Sequence, residues 1–230
     1  MIPVYERALS MNRNRVQTSH ADTETELVFR NLDGKSELTA DNEIALADLI
    51  YDTDPYIYPA MFGSRENAEK LLPLLFRAQD SMFRPENFFV AFQGERIIAL
   101  LLWKEGRLSW TPQLLKDLSA SSGIPLSPYL DYVAREYVEG YGAEDKASLI
   151  LLINLCVADG LRGRGTGRML MERFIERHAD ASMELCALAE NKNAVRLYKS
   201  LGFEITERYV GFSVDQRRPD AIRMQRRVSP

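Results

Sequence analysis

Residues Ser148 to Val157 read "SLILLINLCV", apolar on both faces and interrupted only by Asn154. Such a strand must be covered on both sides, so it belongs in the middle of a sheet with helices packed above and below. The next stretch of chain narrows the choice. Residues 157–170, "VADGLRGRGTGRML", place four glycines and three arginines between this strand and a segment with helical apolar spacing. A further apolar strand, "MELCALA" (Met183 to Ala189), comes after that helix. Strand, turn, helix and strand in this order make a parallel crossover unit.

Other elements gather around that unit. "ELVFRNL" (Glu26 to Leu32) alternates as a half-buried strand, and a helix carrying Ile44, Leu46, Leu49 and Ile50 begins near Thr39. Pro55 and Pro59 in "YDTDPYIYP" are expected to prevent regular structure after it. A second helix is expected over Arg65 to Gln79, kinked or broken at Pro73, followed by a hairpin of "NFFVAF" and "RIIALLLW" around "QGE". Residues 104–146 are long, polar and broken by proline. They read as an insertion holding two helices, "TPQLLKDL" and "SPYLDYVAREYVEGYG", each opened by Thr or Ser followed by Pro. After the crossover come a helix over Asn193 to Leu201, stopped at Gly202, and two closing strands, "FEITERYVGFSV" and "AIRMQRRV". The expectation is therefore an α/β or α+β fold, with residues 1–24 as a tail and 25–230 as one domain.

Composition removes several function classes. A net charge of −4 argues against a nucleic-acid binder. No apolar run approaches the roughly 20 residues that cross a bilayer, and the first twenty residues lack the continuous apolar core of a secretory signal. The two cysteines, Cys156 and Cys186, have no metal-ligand spacing and read as reduced core residues of a cytoplasmic protein, with no metal implied. His20 and His178 read as structural, the latter as a cation at a helix C-terminus.

A glycine turn that leaves a buried strand and opens a helix gathers unpaired backbone N–H groups, which makes an anion site. Gly163, Gly165 and Gly167 let the backbone approach a phosphate, and Arg162, Arg164 and Arg168 can add charge. The turn is not a P-loop, because no Lys followed by Ser or Thr occupies the required place. It is not the dinucleotide turn either, since it reads G-x-G-x-G and lies late in the chain.

What these residues do resemble is the acetyl-CoA signature of the GNAT superfamily of N-acetyltransferases, Arg/Gln-x-x-Gly-x-Gly/Ala, here Arg162-Gly163-Arg164-Gly165-Thr166-Gly167. A second block of that family, an Asn before a helix with Ala, Leu-Tyr and a terminal Gly-Phe, is matched by Asn191, Ala194, Leu197-Tyr198 and Gly202-Phe203. The resemblance is specific from Ser148 to about Phe203. It implies the GNAT fold, a mixed and mainly antiparallel sheet flanked by helices, with the helical insertion before the motif strand.

The resemblance also implies a chemistry and its residues. Leu155, Cys156 and Val157 would pair with the pantetheine arm of acetyl-CoA or CoA where the motif strand splays from the next. The backbone of Arg162, Gly163, Arg164, Gly165, Thr166, Gly167 and Arg168 would hold the pyrophosphate, with Asn191 near the pantetheine. Tyr198 would lie beside the thioester sulfur as the catalytic residue. A tyrosine of pKa about 10 yields its proton uphill to a thiolate of pKa about 8.5, so a hydrogen bond is its minimal role. The acetyl group would pass to the amine of a small molecule or peptide by direct attack in a ternary complex.

Many members carry a glutamate early in the motif strand, where this chain is apolar until Asn154, so the base stays open among Glu105, the Tyr and Glu residues of "YLDYVAREYVEGYG", and a water path. The alternative reading is a catalytically inactive CoA-binding sensor or interaction module. For the acceptor, "YDTDPYIYPAMF" offers Tyr51, Asp52, Asp54, Tyr56, Tyr58 and Phe62, with the 104–146 insertion expected to cover the opening. A homodimer is compatible with the reading.

Overall fold

The computed structural model describes residues 26–33, 38–106, 112–140, 149–211 and 220–228, with the backbone alone for 136–140. The expected tail and most of the last hairpin connection lie outside these residues.

Seven strands form one sheet: β1 (Leu27–Asn31), β2 (Phe88–Gln93), β3 (Arg96–Glu105), β4 (Leu149–Val157), β5 (Ser182–Leu188), β6 (Glu204–Val210) and β7 (Asp220–Arg226), in the order β1-β2-β3-β4-β5-β7-β6. Every neighbouring pair is antiparallel except β4 with β5, the expected parallel crossover. The architecture is the mixed, mainly antiparallel sheet flanked by helices that the sequence implies.

Both faces of the central strands are covered, which is why β2, β3 and β4 read as almost unbroken apolar runs. One face carries α1 (Ala40–Tyr51), α2 (Ile57–Phe62), α3 (Arg65–Arg77), α4 (Pro112–Ser122) and α5 (Leu130–Gly140), and buries Leu46, Ile50, Phe62, Leu72, Val90 and Leu100. The other carries α6 (Thr166–Arg177) and α7 (Lys192–Ser200), and buries Phe89, Leu101, Leu152, Leu170, Phe174 and Phe203. The helix starts follow capping chemistry. Thr39 accepts from the Asn42 N–H at 3.2 Å and Ser64 from the Asn67 N–H at 3.1 Å.

Three expectations change. Pro55 and Pro59 do not abolish regular structure, because α2 starts after Pro55 and holds Pro59 within its first turn, where a proline's missing N–H has no intrahelical partner to lose. Helix α3 tolerates Pro73 without a break, and it ends at Arg77 instead of Gln79. The insertion starts later than expected, because β3 continues through Lys104 and Glu105 and pairs them with Leu151 and Ile150. Its helices bury Leu115, Leu130, Val133 and Ala134 in the core of the first face, with α4 against α3 and α5 against α2. No helix among the described residues is long and apolar enough to cross a membrane.

Candidate functional site

A one-residue irregularity in β4 creates the site. Leu102 of β3 faces Asn154, but the next residue, Trp103, faces Leu152, leaving Ile153 as a bulge. Before it, Leu149, Leu151 and Ile153 face the α1–α5 side; after it, Cys156 does so, while Leu155 and Val157 turn toward α6. A bulge shifts the pleat in this way and increases local twist. The parallel ladder between β4 and β5 ends at the same point, with Leu152 opposite Leu185. Beyond it β4 stays with β3, β5 pairs with β7 through Leu188, and the two strands part.

Past the end of β4 the chain enters the glycine turn. Gly160, Gly163 and Gly165 have φ of 79°, 79° and 87°, a region in which other residues are strained, and Gly165 caps α6. Gly167 has another reason to lack a side chain, since a Cβ there would lie 3.3 Å from Val157 Cγ2. No protein acceptor among the described residues takes the N–H groups of Arg162 through Arg168, which therefore form an open cradle at a helix start. The arginines divide their labour. Arg162 folds back, its Nε donating to the Val157 carbonyl at 3.0 Å, and Arg168 donates to Ser200 Oγ at 2.6 Å and pairs with Glu172. Arg164 is exposed and makes no ion pair among the described residues.

Where β4 and β5 part lies a cavity of about 190 Å³, lined by side chains from α1–α2, β4, β5, α7 and the last two strands. Tyr198 is buried in its wall with its ring edge-on to Phe203, and burial pushes its hydroxyl up to about 12, so it remains a proton-bearing donor. Across from it a directed chain of hydrogen bonds crosses the bulge. Tyr58 Oη donates to Asn154 Oδ1 at 2.7 Å, Asn154 Nδ2 donates to Thr53 Oγ1 at 2.6 Å, and Thr53 donates to the Ile50 carbonyl at 2.6 Å. Asp54 lies next to this chain. Its Oδ1 accepts from the Tyr56 and Ile57 N–H groups at 2.7 and 2.8 Å, while Oδ2 makes no hydrogen bond among the described residues. Burial raises the Asp54 carboxyl above its ordinary range despite those two donors.

The residues named from sequence divide accordingly. Leu155, Asn191, Tyr198, Asp54, Tyr56 and Tyr58 line the cavity together. Asn191 also caps α7, accepting from the Ala194 N–H at 3.1 Å. Tyr51, Asp52 and Phe62 do not line it. Asp52 and Asp48 both bind Arg65, whose guanidinium lies 4.7 Å over the Tyr51 ring, and Phe62 is fully buried beside Tyr58. No insertion side chain among the described residues lines the cavity; α5 instead backs α2, the helix that carries Tyr58.

Among the open candidates for the base, Glu105 pairs at the far end of β4 from the bulge. His178 is not the expected cation. It packs against Trp103 and Phe174, and burial lowers its pKa. Both cysteines are free thiols; Cys156 is buried in the core, and Cys186 packs against that core while also lining the cavity. Sequence reasoning missed Thr53, Cys186 and Tyr209 as cavity residues. Asn154 was legible as the one polar residue in an apolar strand; Tyr209 carried no signal beyond strand alternation.

Residues 131–205 match the acetyltransferase (GNAT) domain family. No curated protein matches by sequence. Among solved structures, an N-acetyltransferase from Staphylococcus aureus Mu50 is 13% identical with a TM-score of 0.59, over 86% of this chain and 99% of its own. A second acetyltransferase is 16% identical at 0.59, over 88% and 100%. The yncA protein of Salmonella typhimurium, solved with its cofactor acetyl-CoA, is 15% identical at 0.51, over 88% and 94%.

Proposed function

We propose that this chain, which shares its fold with solved acetyltransferases and matches the acetyltransferase (GNAT) domain family over residues 131–205, is an acetyl-CoA-dependent N-acetyltransferase acting on an amine. The observation that carries this reading is the sequence of features along one path. Strands β4 and β5 part after Leu152 and Leu185, an open N–H cradle comes next at the α6 start, and Tyr198 lines the cavity between them.

The residues present fit that cosubstrate. Leu155, Cys156 and Val157 would pair with its pantetheine arm, and the N–H groups of Arg162 to Arg168 would hold its pyrophosphate, with Arg164 as the cation still available. The glycines allow this approach where a side chain would fill the cradle. Bound there, acetyl-CoA supplies an activated acyl group. Asn191 keeps its side-chain N–H₂ available beside α7 while its oxygen caps the helix. Tyr198 donates a hydrogen bond to the leaving sulfur; its raised pKa makes full proton transfer to a thiolate still more uphill than for an ordinary tyrosine.

The acceptor end is the wall formed by Asp54, Tyr56, Tyr58, Asn154 and Tyr209. One carboxylate among aromatic rings suits a cationic amine with an apolar body. A primary amine of pKa about 10.4 is mostly charged at pH 7, and freeing it costs about 4 to 5 kcal/mol, so a site that removes its proton is needed. The free thiols suit a reducing compartment, the cytoplasm. Calorimetry with CoA and acetyl-CoA, together with product mass from a primary-amine panel, tests the reading. Saturable binding with no acetylated product on any amine would leave a CoA-binding module in its place.

A further inference from the structure

We infer that Asp54 is the proton acceptor of the reaction, replacing from the α1–α2 connection a carboxylate that the motif strand does not provide; this rests on the transferase reading above. The strand's own polar residue cannot serve. Asn154 is neutral, and its amide is committed at both ends, to Tyr58 and to Thr53. Asp54 is the only carboxylate lining the cavity among the described residues.

Its mounting suits the role. The N–H groups of Tyr56 and Ile57 hold Oδ1 at the start of α2, which fixes the carboxylate plane and leaves Oδ2 for a donor in the cavity. The groups around it do not compete at neutral pH. Asp52, two residues back, is bound to Arg65 on the far side. Tyr56 and Tyr58 beside it are phenols, and Tyr56 Oη donates to Glu190 Oε1 at 3.3 Å at the rim. Cys186 on β5, Tyr198 on α7 and Tyr209 on β6 are all pushed up by burial and stay protonated. Burial likewise raises Asp54, which makes it a stronger base than an exposed aspartate.

The step conserves atoms and charge. The substrate ammonium gives one proton to Asp54 Oδ2, and the freed nitrogen lone pair forms the C–N bond at the thioester carbonyl. The C–S bond breaks with its electron pair on sulfur, the second nitrogen proton ends on sulfur while Tyr198 donates a hydrogen bond to it, and Asp54 later returns its proton to water.

The test is Asp54→Asn, which keeps an oxygen for the two N–H groups. Turnover of acetyl-CoA is measured from pH 5 to 10 with benzylamine, putrescine and a tripeptide bearing a free N-terminus, using the amine that the wild type acetylates fastest. The variant should lose at least about 10²-fold in kcat at pH 7, the lower end for loss of a general base, with CoA affinity unchanged. Its rate should climb with pH as free amine appears, closing the gap toward pH 10, whereas the wild type should hold a plateau that falls only at acid pH. A structural role would lower the rate equally at every pH. Stability supplies a second readout. The native state holds the Asp54 proton more tightly than the unfolded chain does, so stability falls as pH rises from the ordinary aspartate value through the raised one. Asp54→Asn should therefore be more stable than wild type at pH 7. Equal turnover and an unchanged acid limb in the variant would overturn the base assignment alone, whereas a wild type inactive on every amine would overturn the transferase reading with it.

Discussion

The glycine turn and the cavity both start where β4 leaves its partner strand, yet they are made of different materials. The turn works through main chain. Its N–H groups carry no acceptor among the described residues, three of its glycines have positive φ, and two of its three arginines, though exposed, are tied to neighbouring groups. The cavity works through side chains, with Asp54, Tyr58, Asn154, Tyr198 and Tyr209 brought in by four separate parts of the chain. A site made of backbone should tolerate most changes except those that alter φ or block approach. One made of side chains should be sensitive to single atoms and tolerant of everything that points away.

The strongest way to break this contrast is Gly165→Glu. The residue sits at φ 87°, so a side chain adds strain of about 1 to 2 kcal/mol, and a carboxylate at the helix start repels a phosphate. CoA binding measured by calorimetry should fall below detection in folded protein. Full binding would move the anion site elsewhere.

Tyr198→Phe deletes one oxygen and keeps the ring against Phe203. Turnover should drop by as much as about 10²-fold, within the range for a lost transition-state donor, with CoA affinity kept. Unchanged turnover under conditions where chemistry limits the rate would make Tyr198 a core residue.

Asn154→Leu removes both ends of the hydrogen-bond chain across the bulge. Denaturant unfolding should show a loss of about 1 to 3 kcal/mol, and kcat should fall because the connection presenting Asp54 is released. CoA binding at the turn should change little; a parallel loss there would show that the two regions are one mechanical unit.

The smallest effect is expected of Asp52→Asn, in direct contrast with its neighbour at position 54. It weakens an exposed ion pair with Arg65, worth at most about 1 kcal/mol. Acetylation kinetics should match wild type, and a clear change in acceptor KM would return Asp52 to the cavity wall.

The sequence by itself determined what depends on neighbours along the chain. The doubly apolar run of β4 announced a covered central strand, the glycine spacing announced an anion-binding turn, and Asn191 with Gly202 bracketed α7, because strand burial, φ preference and helix capping are local. Only the tertiary structure decided which of two aspartates two residues apart faces the cavity. Asp52 and Asp54 both follow the end of α1, and α3 supplies Arg65 for the first while the turn into α2 supplies two N–H groups for the second. Asn154 was visible as an oddity, but its task depends on the bulge at Ile153 and on Tyr58, which lies 96 positions away. The inserted helices were legible as helices from their caps and apolar spacing. Their place against α2 and α3, instead of over the cavity mouth, depends on buried apolar residues such as Leu115 and Val133 meeting a core assembled from the rest of the chain. Long-range packing of this kind has no period and no motif, so it becomes readable only once the sheet exists to receive it.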